Sequence, residues 1–394
     1  MSVWRNKFLA DETLWRRAGL ERKRRVVQPI TSTEVEVGGK RITAFASNDY
    51  LGLSQDPRLA EALAEGARRY GVGSGASHLV SGHHAVHEEL EHALAEFAGK
   101  PAAMGCMNGY VANIALMTTL AGAGDFIFSD ELNHASIVDG SRLSRAEVKV
   151  YPHCDLNVLE EQLKSVGRKH KVVVTDAVFS MDGDIAPLLE ILALCEQHDA
   201  LLVVDDAHGL GVWGPEGRGS LQALGLESES IVYMGTLGKS AGVSGAFIAA
   251  ERMIIDRLVN RARPYVFSTA SSPAVAYATI KALELIKAAD DGRARLQNYR
   301  DRMQKAAAAW KPYRLLASQT AIQPLIVGGN NETVAITEAM LGKGLWVPAI
   351  RPPTVPLGTA RLRMTLSASH KEEDIDRLLS GLTEVIASAA QNAA

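Results

Sequence analysis

Lys239 is the residue whose type and sequence neighbours most clearly suggest a chemical role. It lies among glycines and small polar residues in "GTLGKSAGVSG", directly after the apolar run "SIVYM". Two kinds of site use such a lysine: a phosphate-binding loop that ends in Gly-Lys-Ser, and a site where the lysine forms an imine with a carbonyl cofactor. The phosphate loop would have its first glycine at residue 233, which is Tyr233 here. The sequence therefore favours the imine.

Polar residues follow several strand-like segments. "KVVVTDAVFS", "ALLVVDDAHG" and "SIVYMGTLGK" are rich in β-branched residues, and helical segments separate them. Nearly continuous apolar strands that alternate with helices predict an α/β fold with a mostly parallel central sheet covered by helices. Ligands of such sheets bind beyond the carboxyl ends of the strands. The polar residues at that edge are Ser180, Asp205, His208, Thr236 and Lys239.

The residues around Lys239 match the needs of pyridoxal phosphate (PLP). The pyridine nitrogen of PLP needs a carboxylate, and Asp205 ends the strand before the one that leads to Lys239. His208 is spaced to approach the phenolic oxygen of the ring. Thr236, close before the lysine, and Gly109, at the start of the helical segment "NGYVAN", suit the phosphate, since helix N-termini bind anions. Together these residues predict a PLP site.

Composition narrows the classes of function. The chain has 394 residues, a net charge of −3 and a sequence pI of about 6.4, so no overall charge favours nucleic acid or an anionic membrane. Three widely spaced cysteines without a CxxC motif argue against a disulfide framework and predict a cytoplasmic protein. No apolar run is long enough to span a bilayer, and the first residues lack the features of a secretory signal.

The sequence divides into three parts. Residues 1–45 are predicted to form an amphipathic helix, with Trp4 and Phe8 docked on the body of the protein, followed by the start of a hairpin. Residues 46–288 are predicted to form a large PLP-binding domain. Residues 289–394 are predicted to form a smaller C-terminal α/β domain, because the composition changes near residue 290.

Motifs along the chain resemble those of a known enzyme family. "SNDYLGL", "DELNHASIVDG", "FSMDGDIAPL", "VVDDAHGLGVWGPEGRG", "TLGKSAGVSG" and "IRPPTVPLGTARLRMTLSASH" are similar to motifs of the α-oxoamine synthases, which are fold-type I PLP-dependent transferases. The match runs from about residue 40 to 385, in the family's order. Asn108 is a departure, since the family often has a small hydroxyl residue there, and it leaves the local phosphate contacts open. The resemblance also implies a homodimer with active sites at the subunit interface.

The resemblance implies an acyl transfer with decarboxylation. L-alanine would condense with a pimeloyl thioester, carried by acyl carrier protein (ACP) or coenzyme A (CoA), to give an amino-oxo acid of biotin biosynthesis, CO2 and the free thiol. Lys239 would bind the cofactor and then take the Cα proton of the amino acid. The alternative within the family is a synthase that uses glycine or serine, such as 2-amino-3-ketobutyrate CoA ligase.

The resemblance also assigns roles around the cofactor. His134, in "LNHAS", would stack on the ring and help to place the substrate. Ser180 and His208 would bond the side of the ring that carries its oxygen. Gly109 and Tyr110 would hold the cofactor through backbone and ring contacts.

Substrate contacts are implied in the remaining motifs. Arg363 would bind the amino-acid carboxylate with its planar fork, although Arg361 would point to the same face of a strand, so the choice depends on the family motif. Thr354 would line the acyl site. Arg22 would approach the carboxyl tail of the acyl substrate, and Lys23 is an alternative.

Two further features have competing interpretations. His83 and His87 are four residues apart, but a helix start is favoured over a metal site, so no metal is predicted. The basic stretch from Arg22 to Arg25 is typical of a solvated charged turn. It could also dock the acidic helix of an acyl carrier protein through charges that salt would screen.

Overall fold

The computed structural model describes residues 2–22 and 24–393, and these form two compact units. Unit 1 comprises Met1–Asn48, Met181–Gly183 and Ala294–Ala394, and unit 2 comprises Asp49–Ser180 and Asp184–Arg293. The N-terminal and C-terminal segments, which the sequence treats as separate parts, thus fall in one unit. The three-part division at 45/46 and 288/289 stays a prediction, since compactness alone does not define a folding domain.

The strands and helices have the following bounds. The strands are β1 Gln28–Pro29, β2 Glu34–Val37, β3 Lys40–Ala44, β4 Ala102–Cys106, β5 Phe126–Asp130, β6 Glu147–Tyr151, β7 Lys171–Asp176, β8 Leu201–Asp205, β9 Ile231–Thr236, β10 Ala246–Ala250, β11 Arg314–Leu315, β12 Ile322–Gly328, β13 Leu345–Trp346, β14 Ala349–Ile350 and β15 Ala360–Thr365. The helices are α1 Val3–Arg17, α2 Pro57–Tyr70, α3 Ala85–Ala98, α4 Gly109–Leu120, α5 Ala135–Ser144, α6 Leu156–Ser165, α7 Leu188–Gln197, α8 Ser220–Leu224, α9 Arg252–Arg261, α10 Arg263–Val266, α11 Pro273–Lys287, α12 Asp290–Ala306, α13 Asn330–Gly342 and α14 Glu372–Ala393.

Unit 2 is built on a seven-stranded sheet. Its strand order is β4-β10-β9-β8-β7-β5-β6, and only β10 runs antiparallel to its neighbours. The strands β7, β8 and β9 are buried almost throughout, because helices cover the sheet and leave no face for water. The predicted fold class, a mostly parallel sheet covered by helices, is confirmed.

Unit 1 contains two small sheets. In the first, the hairpin β2–β3 turns through Gly38 and Gly39, whose φ angles of 58° and 75° suit a two-residue turn that most residues avoid. β1 pairs with β2, and β13 pairs with β3 in parallel. The second sheet has the order β11-β12-β15-β14 and is antiparallel throughout. Its central strand β15 is fully buried.

The N-terminal helix α1 forms as predicted, but its predicted docking is wrong. None of its residues is buried, and Trp4 and Phe8 are 58% and 56% exposed. The spacing of its apolar residues indicates a helix, yet periodicity alone does not say what covers the apolar face. Across the described ranges, no helix combines the length and the apolar character needed to cross a membrane.

Candidate active site

Lys239 lies three residues beyond the end of β9, at the carboxyl edge of the unit 2 sheet. Its Nζ atom is 2.9 Å from Nε2 of His208, which lies three residues beyond β8. The other ring nitrogen of His208, Nδ1, is 2.6 Å from the hydroxyl of Tyr50. The imidazole is therefore held from both sides, and the lysine amine is kept at a defined position.

Asp205 is the last residue of β8, the parallel neighbour of β9. Its side chain is buried, and both of its oxygens are held. The backbone N–H of Ala207 donates to Oδ1 (3.0 Å), and the amide of Asn113 on α4 donates to Oδ2 (2.7 Å). A carboxylate that accepts two such bonds is held in one orientation, which is what a protonated ring nitrogen needs in a partner.

His134 immediately precedes α5, beside the end of β7. Its backbone N–H donates to Oδ2 of Asp176, the last residue of β7 (2.9 Å). Its ring Nδ1 is 2.7 Å from the hydroxyl of Ser136. Burial lowers the pKa of His134, which the nearby Asp205 carboxylate opposes and the Lys239 amine reinforces. The imidazole is thus favoured in its neutral form.

The start of α4 is the candidate phosphate site. Gly109 is its first residue, and a Cβ at this position would lie 3.8 Å from Oγ1 of Thr236, so the glycine and the threonine are close. Asn108, the departure from the family pattern, caps the helix by accepting the Val111 N–H at 2.9 Å. The first N–H groups of a helix lack partners inside it, so this end can bind an anion. Tyr110 donates its hydroxyl hydrogen to Asp139.

Ser180 lies in the turn between Phe179 and Asp184, and His153 holds this turn by bonding two carboxylates. Nδ1 of His153 is 3.0 Å from Asp130, and Nε2 is 2.6 Å from Asp184. Burial opposes a charge on this ring, but the hydrogen bonds with Asp130 and Asp184 raise the pKa of His153 to about 12. The imidazolium therefore joins the end of β5 to the turn that follows Phe179, on which it packs edge-on at 4.4 Å.

The two arginines of β15 in unit 1 have different partners, although both are buried. Arg361 donates to Asp182 (2.7 Å) and to the carbonyl of Met181 (3.1 Å). Arg363 instead contacts two neutral oxygens, Oδ1 of Asn48 (3.2 Å) and Oγ1 of Thr365 (3.0 Å). Arg361 is therefore engaged by the carboxylate of Asp182.

The remaining substrate candidates lie on the exposed part of unit 1. Arg22 is 3.4 Å from Oγ1 of Thr354 and from the carbonyl of Pro352, so the contacts are long. A groove of about 900 Å³ beside them is lined mainly by apolar residues, including Trp15 and Val355. The alternative residue Lys23 lies outside the described residues.

A histidine cluster in unit 2 bears on the metal interpretation. The ligand atoms of His78, His83 and His87 lie within 4.8 Å of one another. His87 uses both ring nitrogens, because Nδ1 accepts the His84 N–H and Nε2 contacts the carbonyl of Ser271. Nδ1 of His83 is 2.8 Å from that of His78. These bonds explain the cluster as a hydrogen-bonded group around the start of α3, and the prediction of no metal stays a prediction.

Several residues of the cluster at the sheet edge were missed by the sequence. Four such residues hold the predicted ones: Tyr50 bonds His208, Asn113 bonds Asp205, and both Ser136 and Asp176 bond His134. Tyr50 and Asn113 lie inside quoted motifs, "SNDYLGL" and "NGYVAN", so their position in those motifs was an available signal. Ser136 lies inside "DELNHASIVDG" and Asp176 inside the strand-like segment "KVVVTDAVFS", so the same signal was available for them.

The donor set fits PLP. An amine, a buried and oriented carboxylate, a histidine that faces the amine and the start of a twelve-residue helix all belong to unit 2. These groups correspond to the aldehyde, pyridine nitrogen, phenolic oxygen and phosphate of the cofactor.

Comparison with known proteins agrees with the fold. The family profile described as "Aminotransferase class I and II" matches residues 40–382. An 8-amino-7-oxononanoate synthase of Paraburkholderia xenovorans (strain LB400) is 52% identical over 380 residues, which cover 94% of this chain and 96% of the relative.

Two solved structures are also similar. One is a serine palmitoyltransferase variant from S. paucimobilis with a bound PLP–myriocin adduct (TM-score 0.93, 29% identity, 99% of this chain and 100% of that chain). The other is an 8-amino-7-oxononanoate synthase from Francisella tularensis (TM-score 0.77, 28% identity, 89% and 99%). The resemblance to the α-oxoamine synthases is confirmed. The chain therefore belongs to the class I and II aminotransferase family and, within it, to the α-oxoamine synthases, on the branch of the 8-amino-7-oxononanoate synthases.

Proposed function

We propose that this protein is a PLP-dependent acyltransferase that condenses L-alanine with a pimeloyl thioester. The products are 8-amino-7-oxononanoate, CO2 and the free thiol, a step of biotin biosynthesis. The observation that carries the proposal is the pair of Lys239 and Asp205 at the ends of adjacent parallel strands, each held by neighbouring side chains. The 52% identity to 8-amino-7-oxononanoate synthases over 94% of the chain supports this substrate pair above the glycine- and serine-using alternatives.

The side chains of unit 2 divide the work on the amino acid. PLP, when bound, supplies an electron sink that makes the alanine Cα–H acidic enough for an amine to remove its proton. Asp205 would hold a proton at the ring nitrogen, and Lys239 would take and later return the Cα proton. His208 beside the lysine would bond the phenolic oxygen, with Ser180 as a second donor. His134 would stack on the ring, Gly109 and Thr236 would hold the phosphate, and Tyr110 would contact the cofactor through its ring.

Residues of unit 1 would bind the substrates. Arg363 would bind the alanine carboxylate, because its planar guanidinium can donate two parallel hydrogen bonds and lies buried beside the neutral oxygens of Asn48 and Thr365. Thr354 and Arg22 would contact the acyl chain and its terminal carboxylate, beside the apolar groove. During the reaction one C–C bond forms at the thioester carbonyl, the thiol leaves, and the carboxyl group of alanine departs as CO2.

The test compares amines one by one against pimeloyl thioester. The purified protein with PLP is given L-alanine, glycine or L-serine, and the C–C product is identified by mass spectrometry together with thiol release. Product with L-alanine at least about tenfold faster than with glycine or serine is expected. Equal or faster turnover of glycine would overturn the assignment in favour of a ligase of the 2-amino-3-ketobutyrate type.

The carrier and the assembly are separate proposals. The basic stretch offers limited support for docking to ACP, because Arg25 already pairs with Glu338. We expect both carriers to react, and parallel assays with pimeloyl-ACP and pimeloyl-CoA over a range of salt concentrations compare them. If charge reversal at Arg24 and Arg25 leaves the KM for pimeloyl-ACP unchanged, docking at this stretch is excluded. A cytoplasmic homodimer is proposed from the family, and light scattering of the purified protein checks the dimer.

A further inference from the structure

A short chain of hydrogen bonds joins Asp205 to the ring of His134. The amide nitrogen of Asn113, Nδ2, donates to Oδ2 of Asp205 (2.7 Å) and to Oγ of Ser136 (2.9 Å). Oγ of Ser136 is in turn 2.7 Å from Nδ1 of His134. Asn113 and Ser136 are at most 1% exposed, so water does not replace these bonds, and each counts for more than it would at the surface.

The orientation of the Asn113 amide follows from its neighbours. If the amide were flipped, its oxygen would lie 2.7 Å from a carboxylate oxygen, and two acceptors at that distance repel each other. Nδ2 therefore faces Asp205 and Ser136. An amide nitrogen carries two hydrogens, and these two bonds use both of them.

The proton on the His134 ring can then be located. Ser136 Oγ accepts a hydrogen from Asn113 and has one hydrogen of its own, which points along the 2.7 Å contact to Nδ1 of His134. The backbone N–H of Ser136 also faces the same ring nitrogen, at 3.3 Å. A hydrogen on Nδ1 would meet both donors. Nδ1 is therefore an acceptor, and a neutral ring carries its proton on Nε2.

We infer that Asn113 and Ser136 are positioning residues that keep His134 as the Nε2–H tautomer, while Asn113 also orients Asp205. The Asn113 amide thus connects Asp205, the proposed partner of the pyridine nitrogen, through Ser136 to His134, which is proposed to stack on the ring. What His134 does with its Nε2–H rests on the proposed function: it would donate a hydrogen bond to an oxygen of the substrate and would not act as a base. Burial of the ring, which disfavours a second proton, is consistent with this state.

The test measures the tautomer directly and does not depend on turnover. The full-length protein loaded with PLP is labelled with ¹⁵N-histidine, and the His134 signals are assigned by their loss in His134→Gln. Protonated and unprotonated ring nitrogens differ strongly in ¹⁵N shift. The wild-type protein is expected to show an unprotonated Nδ1 and a protonated Nε2. In Ser136→Ala the ratio of this tautomer to the other is expected to fall about tenfold, the effect of one lost hydrogen bond.

Ser141→Ala is the matched control. Ser141 lies on the same helix α5 and is equally buried, but its hydroxyl has no hydrogen-bond partner among the described residues. This variant should keep the wild-type tautomer. Asn113→Ala is the second variant: the affinity for PLP should fall about tenfold, measured by quenching of protein fluorescence, because Asp205 loses a donor.

A protonated Nδ1 in the wild-type protein, or the same ratio of the two tautomers in Ser136→Ala as in Ser141→Ala, would overturn the inference. Neither result would bear on which amino acid is the substrate. Conversely, if glycine proves to be the preferred amine, the tautomer measurement keeps its meaning.

Discussion

The site residues of unit 2 are densely held, whereas those of unit 1 are of two kinds. Lys239, Asp205 and His134 each have a short, directional bond to another side chain, and those partners are mostly buried. In unit 1 Arg363 is buried against neutral oxygens, but Arg22 and Thr354 are exposed and touch at 3.4 Å. The residues of unit 2 that we propose for proton transfer are therefore pre-oriented, whereas Arg22 and Thr354, which we propose for the acyl chain, can change their positions more easily.

The largest effect is expected when Lys239 is removed from the pre-oriented group of residues in unit 2. Lys239→Ala is expected to lower turnover by at least about 10³-fold, because both the covalent attachment and the base are lost. Reduction with borohydride followed by mass spectrometry should find PLP attached to the wild-type protein at residue 239 and no attachment in the variant. Lys239→Arg, which keeps the charge, should behave like the alanine variant. Full activity in either variant would contradict the proposed role of Lys239.

The two arginines of β15 can be compared directly within unit 1. Arg363→Lys should raise the KM for L-alanine about 10- to 100-fold, because a lysine cannot bind a carboxylate with two parallel bonds. Arg361→Lys should leave that KM within about twofold and should lower stability, since Arg361 holds Asp182. Steady-state kinetics with L-alanine as the varied substrate separates the two. The reverse pattern would assign the carboxylate to Arg361.

The His153 ion pair tests whether the unit 2 network also stabilises the fold. His153→Gln leaves Asp130 and Asp184 without their cation, and the free energy of unfolding should fall by about 2 kcal/mol near pH 6. Because the folded-state pKa is raised to about 12, the stabilisation is complete below the unfolded-state pKa near 6.5 and is lost as the pH rises toward 12.

The difference between the wild-type protein and His153→Gln in urea unfolding should therefore be smaller at pH 9 than at pH 6. His170→Gln is the control, because His170 bonds the backbone carbonyl of Leu120 and, within the described part of the chain, no carboxylate. A penalty for His153→Gln that grows with pH would contradict the charged state of the ring.

The smallest effect is expected for the exposed residues of unit 1 that are proposed to contact the acyl chain. Arg22→Ala should raise the KM for the pimeloyl thioester only about three- to tenfold, because an exposed ion pair contributes about 1 kcal/mol. The KM for L-alanine should not change. Lys23→Ala, measured in parallel, compares the alternative residue. A loss for Arg22→Ala as large as that for Lys239→Ala would show that the acyl side is not adaptable.

The sequence was sufficient to predict those site residues that directly follow a strand. Parallel strands bring their carboxyl ends to one edge, so Asp205 and Lys239 could be expected there before any coordinates. Partners across long sequence separations could not be predicted, because they depend on how elements pack. Asn113 is 92 residues from Asp205, on a helix that is apolar almost throughout, and nothing local shows which way its amide points. The exposed apolar side of α1 was missed for the same reason, since a helical period does not identify a neighbour.

The parallel pairing of β3 with β13 has a consequence for synthesis on the ribosome. Thr43 is paired with Leu345, so this strand waits for a partner made about 300 residues later. At the usual rate of translation, roughly 5 to 20 residues per second, the hairpin β2–β3 has one open edge for about 15 to 60 s. During that interval the nascent chain presents an unpaired strand edge, and chaperones that bind emerging chains would protect it from aggregation.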